Sequence, residues 1–136
     1  MRSKRSLRSY EEASPPASDL VLVHGDLGVH NIAVDPATDE LPGVFDYDGA
    51  AWDDRHHDFR YLLFDRDEET MPDAAIDAYQ TETGLSVDRR RIFLCNAVCA
   101  FSFLAFREGV AAEKRWAGRT LAEDLKWVRL ALDRLR

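Results

Sequence analysis

Short apolar runs occupy the first half of this chain and longer periodic ones the second. "DLVLVH" (19–24) is a compact run of Leu and Val, the pattern of a buried strand. "NIAVD" (31–35) and "VFDYD" (44–48) are two further short runs of the same kind. The segments between them, "GDLGVHN" and "PATDELPG" (36–43), hold the glycines, prolines and acids that make loops and turns. "GAAWDDRHHD" (49–58) follows neither period and reads as irregular. A helix is predicted to start near Asp54 or Arg55, with Phe59, Leu62 and Leu63 on one face.

From there on the chain reads as helical. "MPDAAIDAYQTETG" (71–84) has Pro72 at a first-turn position and Gly84 as a stop. "DRRRIFLCNAVCAFSFLAFREG" (88–109) opens on a capping Asp88, ends before Gly109 and is apolar nearly all round, which predicts a central helix. In "RTLAEDLKWVRLALDRLR" (119–136), Leu121, Leu125, Val128, Leu132 and Leu135 form a seam at alternating spacings of four and three. Strands first, helices after and no internal repeat predict an α+β fold, a small sheet or hairpin on a mostly helical body. Residues 1–18 read as a flexible basic Pro/Ser segment, and 19–136 as one folded domain with its helical bundle over 55–136.

Composition narrows the class. A length of 136 residues suits one domain with a real core, and 46% hydrophobic with 32% charged residues describes a globular chain rather than a disordered one. The net charge of −7 is unevenly spread: residues 19–73 carry fifteen acids against three arginines. Such a field attracts cations and repels nucleic acid, which excludes a nucleic-acid partner. The longest apolar stretch, 92–106, contains Asn96 and Ser102 and is too short to cross a bilayer, so no membrane association is expected. The basic start lacks the apolar region of a secretory signal, and two cysteines, Cys95 and Cys99, fit a reducing, cytoplasmic location.

The candidate chemistry lies in "VHGDLGVHNIAV" (23–34). His24, Asp26 and Asn31 follow the spacing H-x-D-x-x-x-x-N of a kinase catalytic loop. Phosphoryl transfer needs a carboxylate to orient the acceptor hydroxyl and take its proton. It also needs hard oxygen ligands for Mg²⁺. Asp26 is the candidate base, Asn31 offers an amide oxygen, and Asp46 on the next apolar run offers an anionic one. Asp48 lies two positions after Asp46, on the same face if the run is a strand, and is a candidate second metal contact or a contact to a cationic substrate. His30, inside the loop, is a candidate for the same roles.

"HGDLGVHNIAVD" followed by "VFDYDGAAWDDRHHDFRYL" resembles the aminoglycoside phosphotransferase family, protein-kinase-like kinases of small molecules. The resemblance runs over about residues 20–63. It implies the C-terminal lobe of a kinase-like fold, with catalytic loop 23–31 and metal-binding strand 44–48. It implies ATP or another nucleoside triphosphate and Mg²⁺ as cofactors, and a small-molecule hydroxyl acceptor such as an aminoglycoside. By it Asp26 is the base and Asn31 and Asp46 are the metal ligands. His24 supports the loop, and Asp58 braces it. The family's Gly-Asp-Pro reads Asp53-Asp54-Arg55 here, and its Leu-Ala reads Phe59-Arg60. No Gly-rich loop or strand lysine precedes Asp26, so a missing N-terminal lobe or a second subunit is the expected partner. A non-catalytic, partner-binding lobe is therefore the alternative to a working transferase. "HHD" (56–58) raises a third reading, an HD-type metal phosphohydrolase using His24 or His30 with His57 and Asp58.

Overall fold

The computed structural model describes residues 14–63 and 70–136. They belong to two compact units, one ending at Asp58 and one beginning at Phe59. Of the segment expected to be flexible, residues 1–13 lie outside the described residues, as do 64–69.

The first unit contains four short strands among the described residues: β1 (Leu20–Val23), β2 (Ile32–Ala33), β3 (Gly43–Val44) and β4 (Ala51–Asp54). They pair as a nested hairpin. The inner pair β2–β3 is antiparallel with Ile32 opposite Val44, and the outer pair β1–β4 is antiparallel with Leu22 opposite Trp52 and Val23 opposite Ala51. Two loops interrupt the hairpin at the same level: residues 24–31 lead from β1 to β2, and residues 45–50 lead from β3 back to β4. Because the strands on either side are paired, the two loops are brought face to face.

This corrects several sequence expectations. The strand expected over 44–48 ends at Val44, and Tyr47–Gly49 is a 3-10 turn, so Asp46 and Asp48 do not follow strand alternation. Asn31 closes the 3-10 turn Val29–Asn31 rather than starting a strand. The segment 49–58, expected to be irregular, supplies β4, the partner of β1. Two adjacent aspartates lower its intrinsic strand preference, and pairing with the Val/Leu run of β1 overrides that preference. Asp58–Leu63 forms a 3-10 helix, so the helical body does not start at residue 55.

The second unit holds α1 (Thr70–Thr83), α2 (Arg89–Ala105) and α3 (Leu121–Asp133). Gly84 stops α1 as expected, in the left-handed region at φ +69°, with its N–H donating to the Gln80 carbonyl at 2.9 Å. Asp88 caps α2 by accepting the Arg90 N–H at 2.8 Å. Thr120 and Glu123 form a capping box on α3. Bonds from the Thr120 backbone N–H and then the Thr120 hydroxyl hold the Glu123 carboxyl below its ordinary pKa. One core cluster packs Ala97 and Ala100 of α2 against Trp127, Val128 and Ala131 of α3; the other joins Leu63, Ile76 and Ile92.

The buried face of α3 shares Val128 and Leu135 with the expected seam but is rotated from its other leucines. Asp124, Trp127, Val128 and Ala131 are buried, whereas Leu125 and Leu132 are exposed. The alanines of α2 let the Trp127 indole in, and its Nε1–H donates to Asn96 Oδ1 at 3.1 Å. That bond gives Asn96 its place in an otherwise apolar run. One turn earlier, the fully buried Asp124 receives Arg119 Nε at 2.9 Å and Arg107 Nε on its other oxygen. Arg107 also donates to the carbonyls of Lys114 and Arg119, which fastens the 106–119 connection to the start of α3. Arg119 lies 4.9 Å above the Trp127 ring.

Asp124→Ala leaves a buried guanidinium without its counter-charge and should cost about 3–5 kcal/mol in urea unfolding. A loss below about 1 kcal/mol would mean that the pairs behave as surface salt bridges.

Candidate active site

The two facing loops of the first unit carry the residues singled out in the sequence. Their backbones are tied by one side chain. His24 is buried, its Nε2 lies 2.9 Å from the Phe45 carbonyl, and its Nδ1 lies 3.3 Å from the Asp26 backbone N–H. A carbonyl only accepts and a backbone N–H only donates, so the ring carries its proton on Nε2. One imidazole thus spans from the residue before Asp46 to the backbone of Asp26. A second tie runs beside it, from the Phe45 N–H to the Asn31 carbonyl at 3.0 Å. The Tyr47 ring packs on the His24 ring, with centroids 4.6 Å apart.

Asp58 holds the loop from the other side. Its Oδ2 accepts the His24 N–H at 2.7 Å and its Oδ1 the Gly25 N–H at 2.9 Å. Such bonds from amides to a carboxylate are shorter and stronger than neutral ones. Gly25 has φ +85°, and a Cβ there would collide with the carbonyl of Gly49. Glycine is required at this point both by the backbone conformation and by the close approach of the second loop.

Within this frame, Asp26 projects a partly exposed carboxylate. Asn31 is buried beneath it, and its Nδ2 donates to the Asp26 carbonyl at 2.9 Å and to Asp26 Oδ2 at 3.2 Å. Both bonds use the amide nitrogen, so Asn31 Oδ1 is the atom that can face a cation. Asp46 is exposed in the opposite loop at φ 64°, ψ 62°, the left-handed region that Asp tolerates better than most residues. Its side chain makes no capping bond to the turn that follows. Asp48 is exposed within that turn, and His30 Nε2 lies 3.3 Å from Asp26 Oδ2.

The phosphohydrolase ligand set does not assemble. Both His24 ring nitrogens face backbone groups, both Asp58 oxygens accept amides, and His57 Nδ1 lies 2.9 Å from Asp53 Oδ2. Among the described residues, the cluster whose ligand atoms all lie within 4.8 Å of one another is Asp19, Asp54 and His56, all buried. The sequence reading passed over it. Arg55 lies 3.1 Å from Asp19, and His56 Nδ1 lies 2.6 Å from Asp54 Oδ1. A metal ion would have to displace that guanidinium and the imidazole proton. The cluster acts instead as a latch, since the Arg55 N–H donates to the Asp19 carbonyl at 2.9 Å and fixes the open ends of β1 and β4. The alternation of acids with Arg and His in "DDRHHD" is the signal that could have revealed it.

The family model described as "phosphotransferase enzyme family" matches residues 2–93. Among solved structures, the chain is similar to an aminoglycoside-3'-phosphotransferase of type VIII, with 27% identity and a TM-score of 0.51. The match covers 68% of this chain and 37% of that one, so the chain spans little more than a third of its length. No curated protein matches. Among the described residues, no helix is long and apolar enough to cross a membrane.

The two loop glycines should respond differently to alanine. Gly25→Ala should lower thermal stability sharply, by at least about 1–3 kcal/mol. A Cβ on Gly49 meets only ordinary contacts. Gly49→Ala should therefore change stability by less than about 1 kcal/mol. Equal melting temperatures for the two variants would contradict the loop contact.

Proposed function

This chain belongs to the phosphotransferase enzyme family, and we propose that its two facing loops are the acceptor and metal side of a site transferring the γ-phosphoryl of ATP, or another nucleoside triphosphate, to a hydroxyl of a small molecule. The observation that carries this reading is the His24 bridge, which ties the loop of Asp26 and Asn31 to the loop of Asp46. Asp26 orients the acceptor hydroxyl and takes its proton. Asn31 Oδ1 and the Asp46 carboxylate would hold Mg²⁺. The donor set fits that ion: both are hard oxygens, and the Asn31 nitrogen is already committed to Asp26. When bound, Mg²⁺ neutralises charge on the transferred phosphoryl group.

An aminoglycoside is the acceptor class most in keeping with the solved relative and with the acidic surroundings. Asp48, exposed two residues from Asp46, is placed in this reading against an acceptor ammonium group. A cytoplasmic location, where ATP is supplied, goes with the same reading. One observation favours a second. Leu22 and Trp52 stand opposite each other on β1 and β4 and are 67% and 75% exposed. They suit a lobe whose ATP-holding half is an N-terminal lobe or second subunit docking there, without which the chain transfers nothing.

Asp26→Ala should lower transfer to an aminoglycoside by about 10²–10⁴-fold with an unchanged melting temperature. Normal turnover in that variant would remove Asp26 from its role. Asp46→Ala should weaken Mg²⁺-ATP binding, read by calorimetry, by at least about tenfold. No heat from the parent chain would move the reading to the lobe that needs a partner.

A further inference from the structure

His30, a candidate metal or substrate contact in the sequence, has its ring turned toward Asp26. His30 lies in the 3-10 turn Val29–Asn31, and its side chain is 61% exposed. The ring nevertheless turns back along the loop, and Nε2 lies 3.3 Å from Asp26 Oδ2. The same oxygen receives Asn31 Nδ2 at 3.2 Å.

The ring is seated over Gly28. A Cβ on Gly28 would collide with Cε1 and Nδ1 of the His30 ring. Gly28 has φ −92° and ψ 165°, extended backbone that any residue adopts. A side chain on residue 28 would therefore leave the backbone unstrained and push the imidazole from this seat. In that one position the ring covers Gly28 and reaches Asp26.

We infer that His30 is a positioning residue for Asp26. Its Nε2–H and the Asn31 amide both hold Oδ2, which fixes the rotation of the carboxylate about its last bond and makes its two oxygens unequal. A base with a side chain 43% exposed would otherwise sample many orientations. In a reaction whose catalysis is mostly positioning, a carboxylate already turned toward the acceptor saves that search. The inference rests on the phosphotransferase reading of Asp26. His30 does not touch the substrate in this role, so it acts on turnover and not on binding.

The test uses the full chain, Mg²⁺-ATP and an aminoglycoside acceptor, with the variants His30→Ala, His30→Gln and Gly28→Ala. His30→Ala should lower kcat by about tenfold to a hundredfold and leave KM for both substrates unmoved. His30→Gln, which keeps an N–H of similar reach, should restore much of the loss. Gly28→Ala should reproduce the His30→Ala defect, and the double variant should be no worse than either single one. Histidine-ring ¹⁵N NMR reads the same contact without turnover. The His30 Nε2 resonance should move in Asp26→Ala and in Gly28→Ala, and stay in place in Val34→Ala, whose side chain is exposed and lies beyond the loop. A His30 resonance indifferent to Asp26→Ala, or a His30→Ala chain with normal kcat, overturns the inference. A parent chain without turnover points instead to the lobe that needs a partner, and the ring resonance then decides by itself whether His30 holds Asp26.

Discussion

The His24 imidazole is the constraint on which the site depends. It has one nitrogen for each loop, accepting from the Asp26 N–H and donating to the Phe45 carbonyl. Each loop has a single 3-10 turn and is otherwise irregular. Each only joins an outer strand to an inner one. The hairpin brings them to the same level, but pairing of β1–β4 and β2–β3 does not set their separation. The His24 ring sets it, with the Phe45–Asn31 backbone bond beside it and the Gly25–Gly49 approach behind. Asp58 then fixes the His24 and Gly25 amides from a point further along the chain.

The first unit is held mainly by polar contacts. Val23 is its one fully buried large apolar residue among those described, while Asp19, His24, Asn31, Asp54, Arg55 and His56 are all buried. In low dielectric each of these bonds is strong, and each becomes costly if its partner is lost. Such a network rigidifies backbone without covering it. Asp26 and Asp46 remain accessible on loops that cannot drift, which is what a site working by position and charge requires. The second unit follows a different balance. Its alanine, Trp and Val core is apolar, and its polar interior is concentrated at Asp124 with two arginines.

Much of this was legible because it is local. A proline-and-glycine turn between two apolar runs specifies the inner hairpin, and Asp88 and Gly84 specify helix ends through bonds a few residues long. What failed was non-local. β4 has no strand signature of its own, and the Val/Leu run of β1 makes it a strand. The seam of the last helix predicted its buried face only in part: Val128 is buried and Leu135 packs on the core, but Leu125 and Leu132 are exposed, because heptad spacing cannot count a buried Asp124 that meets Arg107 and Arg119.

The sequence by itself determined the α+β order, the kinase-like loop with Asp26 and Asn31, and the resemblance to the phosphotransferase family that the comparisons bear out. Residue type and spacing carry that information, since phosphoryl-transfer chemistry needs particular groups at particular intervals. Only the tertiary structure decided that His24 faces Phe45, that Asp58 reaches back over more than thirty residues to two amides, and that His30 lies over Gly28 against Asp26. These contacts depend on where a ring or a carboxylate points once strands far apart in sequence have paired, and no local period encodes that.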